Sequence, residues 1–554
     1  TYYLRVNQAV GRSWTNTYVS DWNSLASGAG TAAPAVNSLD DYSTNGKSLR
    51  SPAVSDTFAG GNLLLQGGGI LLKNPQPEIV TIPSLIASSG TIIQSLGTVG
   101  ATTLRVNYFT QNSGSTTLMA SASQTLDLNV DYLSGGGEIR FAGAGQSLFT
   151  VNDASQFTGT YTQTSGTLRL SPITSGPVHA VGSPFAMKGR LVVNTGAKVI
   201  LNRVAYVGGL TVSGSIINTG TYTAATLGFT GTAKIAVYNP DLAGPPQMFG
   251  INFASGTFSL DGALIPTWAA DWDFYQARGL TLIRVPIKWQ QMQPTLNGSL
   301  NSGIMNKLAT VLALANARGM KVIFDMHNYG VYTSDTQVIG GAVAYTAYQD
   351  VWEKVSQYFS TNPNRAALFG FDIMNEPVKM TGDTWQTGIK YAIAGIRKYD
   401  MTSYIIVEGK GWAGAQDWRS MNTDLGAIDP ACRVIYSAHS YWANSNNDGY
   451  GNYDTEKAYP NRSIDKMRPF VDWVKKRKFY GFIGEYGVPT NVASPDLRWN
   501  ELLRNGLQYM RDNGILGTYW ANGRAFGGYH LAADSGTTPV QEAPPMTVLK
   551  DFHQ

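Results

Sequence analysis

Between residues 248 and 520 eight short apolar runs recur, with stretches of helical spacing among them. The first runs are Met248-Phe-Gly-Ile-Asn-Phe253, Thr281-Leu-Ile-Arg-Val-Pro286 and Lys321-Val-Ile-Phe-Asp-Met326; the others fall near 368–373, 403–408, 433–438, 480–485 and 515–520. Ala269–Arg278 and Asn306–Arg318 have helical spacing and stop at Gly279 and Gly319, the residue type that best takes a left-handed cap. Further helix signals fall at 345–360, 384–398, 463–478 and 498–513. Strand–helix units of roughly 30 to 50 residues mean parallel strands with crossover helices, and eight of them predict a (β/α)8 barrel.

Such a barrel gathers the residues at the carboxyl ends of its strands on one face. Phe369-Gly-Phe-Asp-Ile-Met-Asn-Glu-Pro377 runs apolar and ends on Asn375 and Glu376, and Pro377 has no N–H to continue a ladder. Tyr480-Gly-Phe-Ile-Gly-Glu485-Tyr-Gly has the same form. The remaining strand ends carry Arg284, His327 and Asn328, His439 and Tyr441, and Trp520. Taken singly, an arginine there fits an ion pair, a histidine a hydrogen-bonded core position, a tryptophan packing. Two strand-closing glutamates with an arginine and a tyrosine on one rim fit chemistry instead, because an unpaired buried carboxylate costs several kcal/mol.

Two carboxyls about 5–5.5 Å apart are what retaining glycoside hydrolysis requires. Glu376 sits beside the neutral amide of Asn375, so it is expected to keep a proton in a dry cleft and act as acid/base. Glu485 is expected to stay ionised, if Arg284 and the Tyr441 hydroxyl reach it, and to act as nucleophile. Asn375 is placed for a sugar 2-OH, Trp520 for stacking on a pyranose, and His327 for a substrate hydroxyl. Trp289, Trp412 and Trp442 follow strand ends and are candidate subsite platforms.

These residues stand in Ile283-Arg-Val-Pro-Ile287, Pro294-Thr-Leu-Asn-Gly298, Asp325-Met-His-Asn-Tyr-Gly330, Met374-Asn-Glu-Pro377, His439-Ser-Tyr-Trp442, Gly484-Glu-Tyr-Gly-Val488 and Thr518-Tyr-Trp520. Together the motifs resemble glycoside hydrolase family 5, over residues 246–554. The resemblance implies a barrel, a retaining mechanism and a β-linked glycan substrate. It is closest to the cellulase-like members, which implies β-1,4-glucan; mannanases, xylanases and exopolysaccharide-cleaving enzymes share Asn-Glu-Pro. The segment Trp442–Asp454 is long for the pattern, and reads either as a subsite wall for a branched chain or as a solvated loop. Asp448 and Asp454 within it lack EF-hand spacing. With no His/Cys cluster and no phosphate-binding Gly-rich loop, neither a metal nor a cofactor is expected.

Residues 1–245 have a different texture: 23 charged residues, about half the density of the remainder, and abundant Gly, Ser and Thr. Apolar runs follow Gly61, Gly69, Gly137, Gly166, Gly189, Gly209 and Gly231, the last four spaced by 20 to 23 residues. That period favours a parallel β-helix or solenoid over a sandwich or jelly roll. Gly159–Leu170 also resembles the strand repeats of autotransporter passengers. The expected layout is an all-β domain over 1–238, a Pro-rich linker over 239–246 and the barrel over 247–554. The first domain reads as an attachment or spacing module, with a glycan-binding module as the rival.

A net charge of +4 on 554 residues gives no strong field toward nucleic acid or anionic membranes, and no apolar run is long enough to span a bilayer. Cys432, the single cysteine, has no base near it in sequence and reads as a buried bystander. The chain opens on Thr1 without an apolar signal segment, which reads as a mature or trimmed product; sparse charge, at 14%, with 61 glycines, 29 tyrosines and 13 tryptophans suits a secreted or cell-surface protein acting on an uncharged polysaccharide. A monomer is favoured, or a trimer if the first domain is a phage-tailspike or cell-surface scaffold for an exopolysaccharide depolymerase. A non-catalytic glycan binder is disfavoured by the presence of both glutamates.

Overall fold

In a computed structural model, the structure describes residues 12–13, 20–21, 41–44, 46, 48–51, 55–72, 78–95, 100–170, 185–238, 240, 243–257, 259–490, 495–524 and 528–552. Contacts divide the chain into two compact units, one reaching residue 242 and including Ile428–Cys432, the other comprising Ala243–Ala427 and Arg433–Gln554. Within the predicted linker, residues 239, 241 and 242 lie outside the described set. No helix among the described residues is long and apolar enough to cross a membrane.

In the first unit the seven apolar runs fall in strands that pair largely in parallel. Leu104 lies opposite Leu128, Leu128 opposite Phe149, and Ile139 opposite Tyr161. Side chains alternate along each strand, so Leu126, Leu128 and Val130 point inward and stack on their counterparts in neighbouring strands. Two pairings are antiparallel: Ala205–Val212 with Ser215–Ile217, and Gly220–Thr223 with Lys234–Val237. The four runs from Gly166 onward do not all stack as successive rungs, although the Gly189 run pairs with the Gly209 run. The Gly166 run pairs with Lys198–Leu201, because the Gly189 run pairs back onto Thr160–Gln163. Cys432 is buried, and burial pushes its thiol up to about 12, which removes it from nucleophilic chemistry.

The second unit is a closed barrel of eight parallel strands: β1 Phe249–Asn252, β2 Leu282–Ile287, β3 Lys321–Met326, β4 Leu368–Asp372, β5 Tyr404–Glu408, β6 Val434–His439, β7 Tyr480–Glu485 and β8 Ile515–Tyr519. The ring closes by β1 pairing with β8. Six helices of eight residues or more surround it: α1 Ala269–Gln276, α2 Ser302–Asn316, α3 Tyr345–Ser360, α4 Thr384–Arg397, α5 Arg462–Arg477 and α6 Arg498–Asp512. Helix α2 starts four residues before the periodic pattern does, because the Asn301 side chain accepts from the N–H groups of Gly303 and Ile304. The crossover after β5 holds only the single-turn helix Trp418–Met421.

Strand alternation decides what fills the ring. Met248, Leu282, Ile323, Phe369, Tyr404, Ile406, Ile435, Phe482 and Leu516 form one apolar plug in the lumen. Two residues farther along, on the same face, stand Arg284, Asp325, Glu408, Ser437 and Thr518, all fully or nearly fully buried. The plug is therefore capped by a polar layer at the carboxyl ends of the strands. Register slips adjust two strands to that layer. Ala438 lies opposite Ile483 but His439 opposite Glu485, so Gly484 is extra and Glu485 turns into the lumen beside His439. A second slip, between β3 and β4 at Phe369, puts Gly370 and Asp372 on the inner face.

Candidate active site

Arg284 organises the polar layer. It comes from within β2 rather than from its end, and its guanidinium is inaccessible to solvent. Nε donates to Asp372 Oδ2 at 3.0 Å, and Nη1 to Glu485 Oε1 at 3.0 Å and Asn252 Oδ1 at 3.1 Å. Nη2 donates to Asn375 Oδ1 at 2.8 Å and Glu408 Oε1 at 3.0 Å, and lies 3.1 Å from Asp325 Oδ2. A planar fork of five N–H donors suits this clustering; a lysine could not reach so many acceptors.

Glu485 closes β7. Besides Arg284 it accepts from the Tyr441 hydroxyl, 2.8 Å from Oε2, and His439 Nδ1 lies 3.6 Å from the same oxygen. Burial raises its pKa, and the charges of His439 and Arg284 and the Tyr441 hydrogen bond act against that rise. Gly484 makes the contact possible: a Cβ there would sit 3.0 Å from Ser437 Oγ and 3.1 Å from His439 Nε2.

Glu376 lies four residues beyond the end of β4, so Pro377 does not terminate the ladder as the sequence suggests; the ladder ends at Asp372. The segment after Asp372 is held from β3, Asn375 N–H donating to Met326 O at 2.9 Å. Glu376 then takes φ of 40°, in the left-handed region that costs a non-glycine residue about 1–3 kcal/mol. Its N–H donates to Glu408 Oε2 at 2.6 Å, and its Oε1 accepts from His439 Nδ1 at 2.7 Å. Burial drives the Glu376 carboxyl up to about 7, with His439 as the chief opposing group.

Carboxylate oxygens of Glu376 and Glu485 approach within 4.8 Å of each other, and His439 Nδ1 falls within the same distance. These three side chains form the one group among the described residues compact enough to hold a cation. His439, however, faces carboxylates on both ring nitrogens, with Nε2 at 3.1 Å from Glu408 Oε1. Despite burial, the charges of Glu408 and Glu485 hold it well above the usual histidine range, so a cation bound here would have to displace its proton. Glu408 is its counter-ion, and against burial the His439 charge brings that carboxyl down to about 2. Asp372 is raised well above its usual range and Asp325 to about 7, both by burial. Two cations, Arg284 and His439, thus stand among these carboxyls, of which Glu408 is the one held below its usual range.

The other expected residues separate into two groups. His327 donates or accepts at Asp325 Oδ2, 2.8 Å away; burial keeps it neutral, Tyr329 OH stands 3.1 Å from its Nε2, and its ring stacks on Trp520 at 5.7 Å and 11°. Asn375 Nδ2 is buried and has no protein partner among the described residues. Together with Glu376, His439, Tyr441 and Glu485, the residues His327, Tyr329, Trp412 and Trp520 line an open cleft of about 960 Å³. Trp412 is 61% exposed.

Three expectations are corrected. Asn328 is buried as a loop staple: Oδ1 accepts from Trp289 N–H at 2.7 Å and Nδ2 donates to Tyr332 O at 2.7 Å. Trp289 and Trp442 are fully buried, donating to Gln293 Oε1 and Ser440 Oγ, and offer no face to a sugar. The 442–454 segment is not merely solvated. Glu456 accepts from Gly451 N–H and Asn444 N–H, Asp448 accepts from Tyr529 OH at 3.0 Å, Arg498 pairs with Asp454, and Ser445–Asp448 line the cleft. Glu408 was the omission: Tyr404-Ile-Ile-Val-Glu408 closes the fifth strand on a glutamate just as β7 does.

A parallel barrel with paired glutamates across a cleft at its carboxyl-terminal rim defines a class, the glycoside-cleaving barrels. The sequence profile of the cellulase family, glycosyl hydrolase family 5, matches residues 244–526, and the chain belongs to that family. It is 32% identical to an endoglucanase of Pseudomonas stutzeri, whose structure superposes with a TM-score of 0.51 over 57% of this chain and 96% of that one. A second structure of that enzyme, in complex with cellobiose, matches equally well over 56% and 93%. The chain is also 28% identical over 300 residues to endo-beta-1,4-glucanase B of Aspergillus niger, spanning 51% of this chain and 83% of that protein. The family match begins at residue 244 and leaves the first unit uncovered.

Proposed function

We propose that this chain is a retaining endo-β-1,4-glucanase with Glu376 as acid/base and Glu485 as nucleophile. The observation that carries the reading is the asymmetry of two carboxylates within 4.8 Å of each other. One accepts hydrogen bonds from Arg284 and Tyr441, and burial raises the carboxyl of the other to about 7. The separation suits a covalent intermediate; an inverting enzyme needs about 6.5–9.5 Å to fit a water.

In the first step Glu485 attacks the anomeric carbon while Glu376 protonates the departing glycosidic oxygen, giving a glycosyl ester on Glu485. Glu376, now ionised, takes a proton from water as the water displaces the ester, restoring both groups and the original anomeric configuration. The unpartnered Nδ2 of Asn375 is available for the sugar 2-OH, with its Oδ1 fixed by Arg284. Trp520, held against His327, supplies a face for the ring at the reacting centre, and exposed Trp412 one farther along the chain. β-1,4-Glucan is the substrate class borne by the names of the relatives, the open cleft suits internal attack on a polymer, and a polymeric substrate supports a place of work outside the cell.

For the first unit we propose a β-solenoid with an attachment or spacing role. The test of specificity is reducing-sugar release from carboxymethylcellulose, barley β-glucan, glucomannan, xylan and xanthan side by side, with the anomer of the first product read by NMR. β-Configured product from the first two substrates supports the reading; an α-configured first product or preference for xanthan sinks it.

A further inference from the structure

We propose that Glu408 is a positioning residue for the acid/base: it fixes Glu376 from both ends, by the backbone amide and, through His439, by the carboxyl. The inference rests on the acid/base reading of Glu376 above. Glu408 closes β5, is completely buried and does not line the cleft, so it does not touch substrate.

Its two oxygens divide the task. Oε2 accepts the Glu376 N–H at 2.6 Å, at the residue whose φ of 40° is otherwise unfavourable to a side chain. Oε1 accepts from Arg284 Nη2 at 3.0 Å and faces His439 Nε2 at 3.1 Å. From the far side of the same imidazole, Nδ1 donates to Glu376 Oε1 at 2.7 Å. Glu376, Glu408 and His439 thus form a closed ring of contacts, which leaves Oε2 of Glu376 to carry the transferable proton. The charged and titratable neighbours of Glu408 are Arg284 on β2, Asp325 on β3, Asp372 and Glu376 from β4 and its loop, His439 on β6 and Glu485 on β7.

Only a carboxylate serves here. Donors arrive at both oxygens, whereas an amide accepts at one and presents N–H to the other. Glu408→Gln therefore keeps the volume and loses one arm of the ring, whichever way it is turned.

The experiment compares the wild type, Glu376→Ala and Glu408→Gln on barley β-glucan and on 2,4-dinitrophenyl β-cellobioside, whose leaving group departs without a proton. Glu376→Ala is expected to lose turnover on β-glucan by roughly 10²–10⁴-fold and to lose far less in bond cleavage on the aryl substrate, with azide accelerating its turnover. Glu408→Gln is expected to show the same selectivity in weaker form. Its rate ratio between glucan and aryl substrate should fall by about tenfold or more, again with azide acceleration. Equal losses on both substrates, or an unchanged ratio, overturn the positioning role. If Glu376→Ala itself keeps wild-type turnover on β-glucan, the acid/base reading has failed, which is a separate result. An independent measurement uses wild-type protein: nitrogen chemical shifts of His439, one of five histidines, should show both ring nitrogens protonated at neutral pH. A neutral imidazole there overturns the ring.

Discussion

Removing one hydroxyl from the nucleophile should shift the acid limb of the pH profile and leave the barrel intact. In Tyr441→Phe, Glu485 loses the donor 2.8 Å from Oε2 and keeps Arg284 on Oε1. Burial and the Glu485 charge hold the tyrosine far above its usual pKa, so the hydroxyl is a proton donor throughout the working range. A hydrogen bond to a charged acceptor is worth about 1.5–3 kcal/mol, and one pKa unit corresponds to about 1.4 kcal/mol. The donor favours the ionised carboxylate, so its loss raises the Glu485 pKa by about one to two units. On the proposed roles, activity needs Glu485 ionised and Glu376 protonated, and burial raises the Glu376 carboxyl to about 7. The acid limb of kcat/KM therefore moves up toward a nearly fixed basic limb, and the maximum falls as the two converge. The assay is kcat/KM on an aryl β-cellobioside across the pH range, with thermal unfolding measured beside it. An acid limb that stays in place in a folded variant, or moves downward, refutes the assignment of Glu485 as the group that must be charged.

Glu485→Gln should abolish turnover, while azide or formate should restore cleavage to Glu485→Gly with inversion at the anomeric carbon; wild-type rate in the Gln variant sinks the nucleophile assignment. Trp412→Ala should raise KM on β-glucan by several-fold with little change on a short aryl glycoside, since one sugar–aromatic contact is worth about 1 kcal/mol or somewhat more; equal effects on both would show that the ring is not a distal platform. Asp400, in the turn before β5, accepts from the N–H groups of Thr402 and Ser403 and from the Ser403 hydroxyl. Although burial opposes it, these bonds hold the carboxyl at about 2, below the usual 3.8. A depressed carboxyl stabilises the fold above its unfolded pKa and loses that contribution as pH falls through the folded one. Asp400→Asn should then cost about 2 kcal/mol at neutral pH and almost nothing near pH 2; a pH-independent difference in urea unfolding would refute the linkage.

The barrel was legible because its information is local. Short continuous apolar runs, glycine stops after α1 and α2, and the repeated run-and-helix rhythm are each read over a few tens of residues, and eight strand runs in that rhythm admit little else. Glu376 and Glu485 were legible for a related reason: an acidic residue at the end of an apolar run is expensive to bury unless it is used. The roles of their neighbours were not. Whether Trp289, Trp412 or Trp442 meets solvent depends on which loops fold over them, and only Trp412 is left uncovered. Asn328 has the composition of a ligand-binding residue, yet its donors and acceptor are consumed by Trp289, Gln290 and Tyr332.

By itself the sequence determined the eightfold strand–helix order and the polar residues at its strand ends, since both follow from side-chain chemistry read at short range. Only the tertiary structure decided the electrostatics that divide the two glutamates. That division needs Arg284, Glu408, His439 and Glu485, drawn from four strands and linked in the buried lumen by contacts of 3.0 Å from Arg284 to Glu408 and to Glu485 and 3.1 Å from His439 to Glu408. It also needs the slipped register at Gly484 that turns Glu485 inward. Such contacts join residues far apart in the chain, and their strength comes from the exclusion of water, which exists only once the ring has closed.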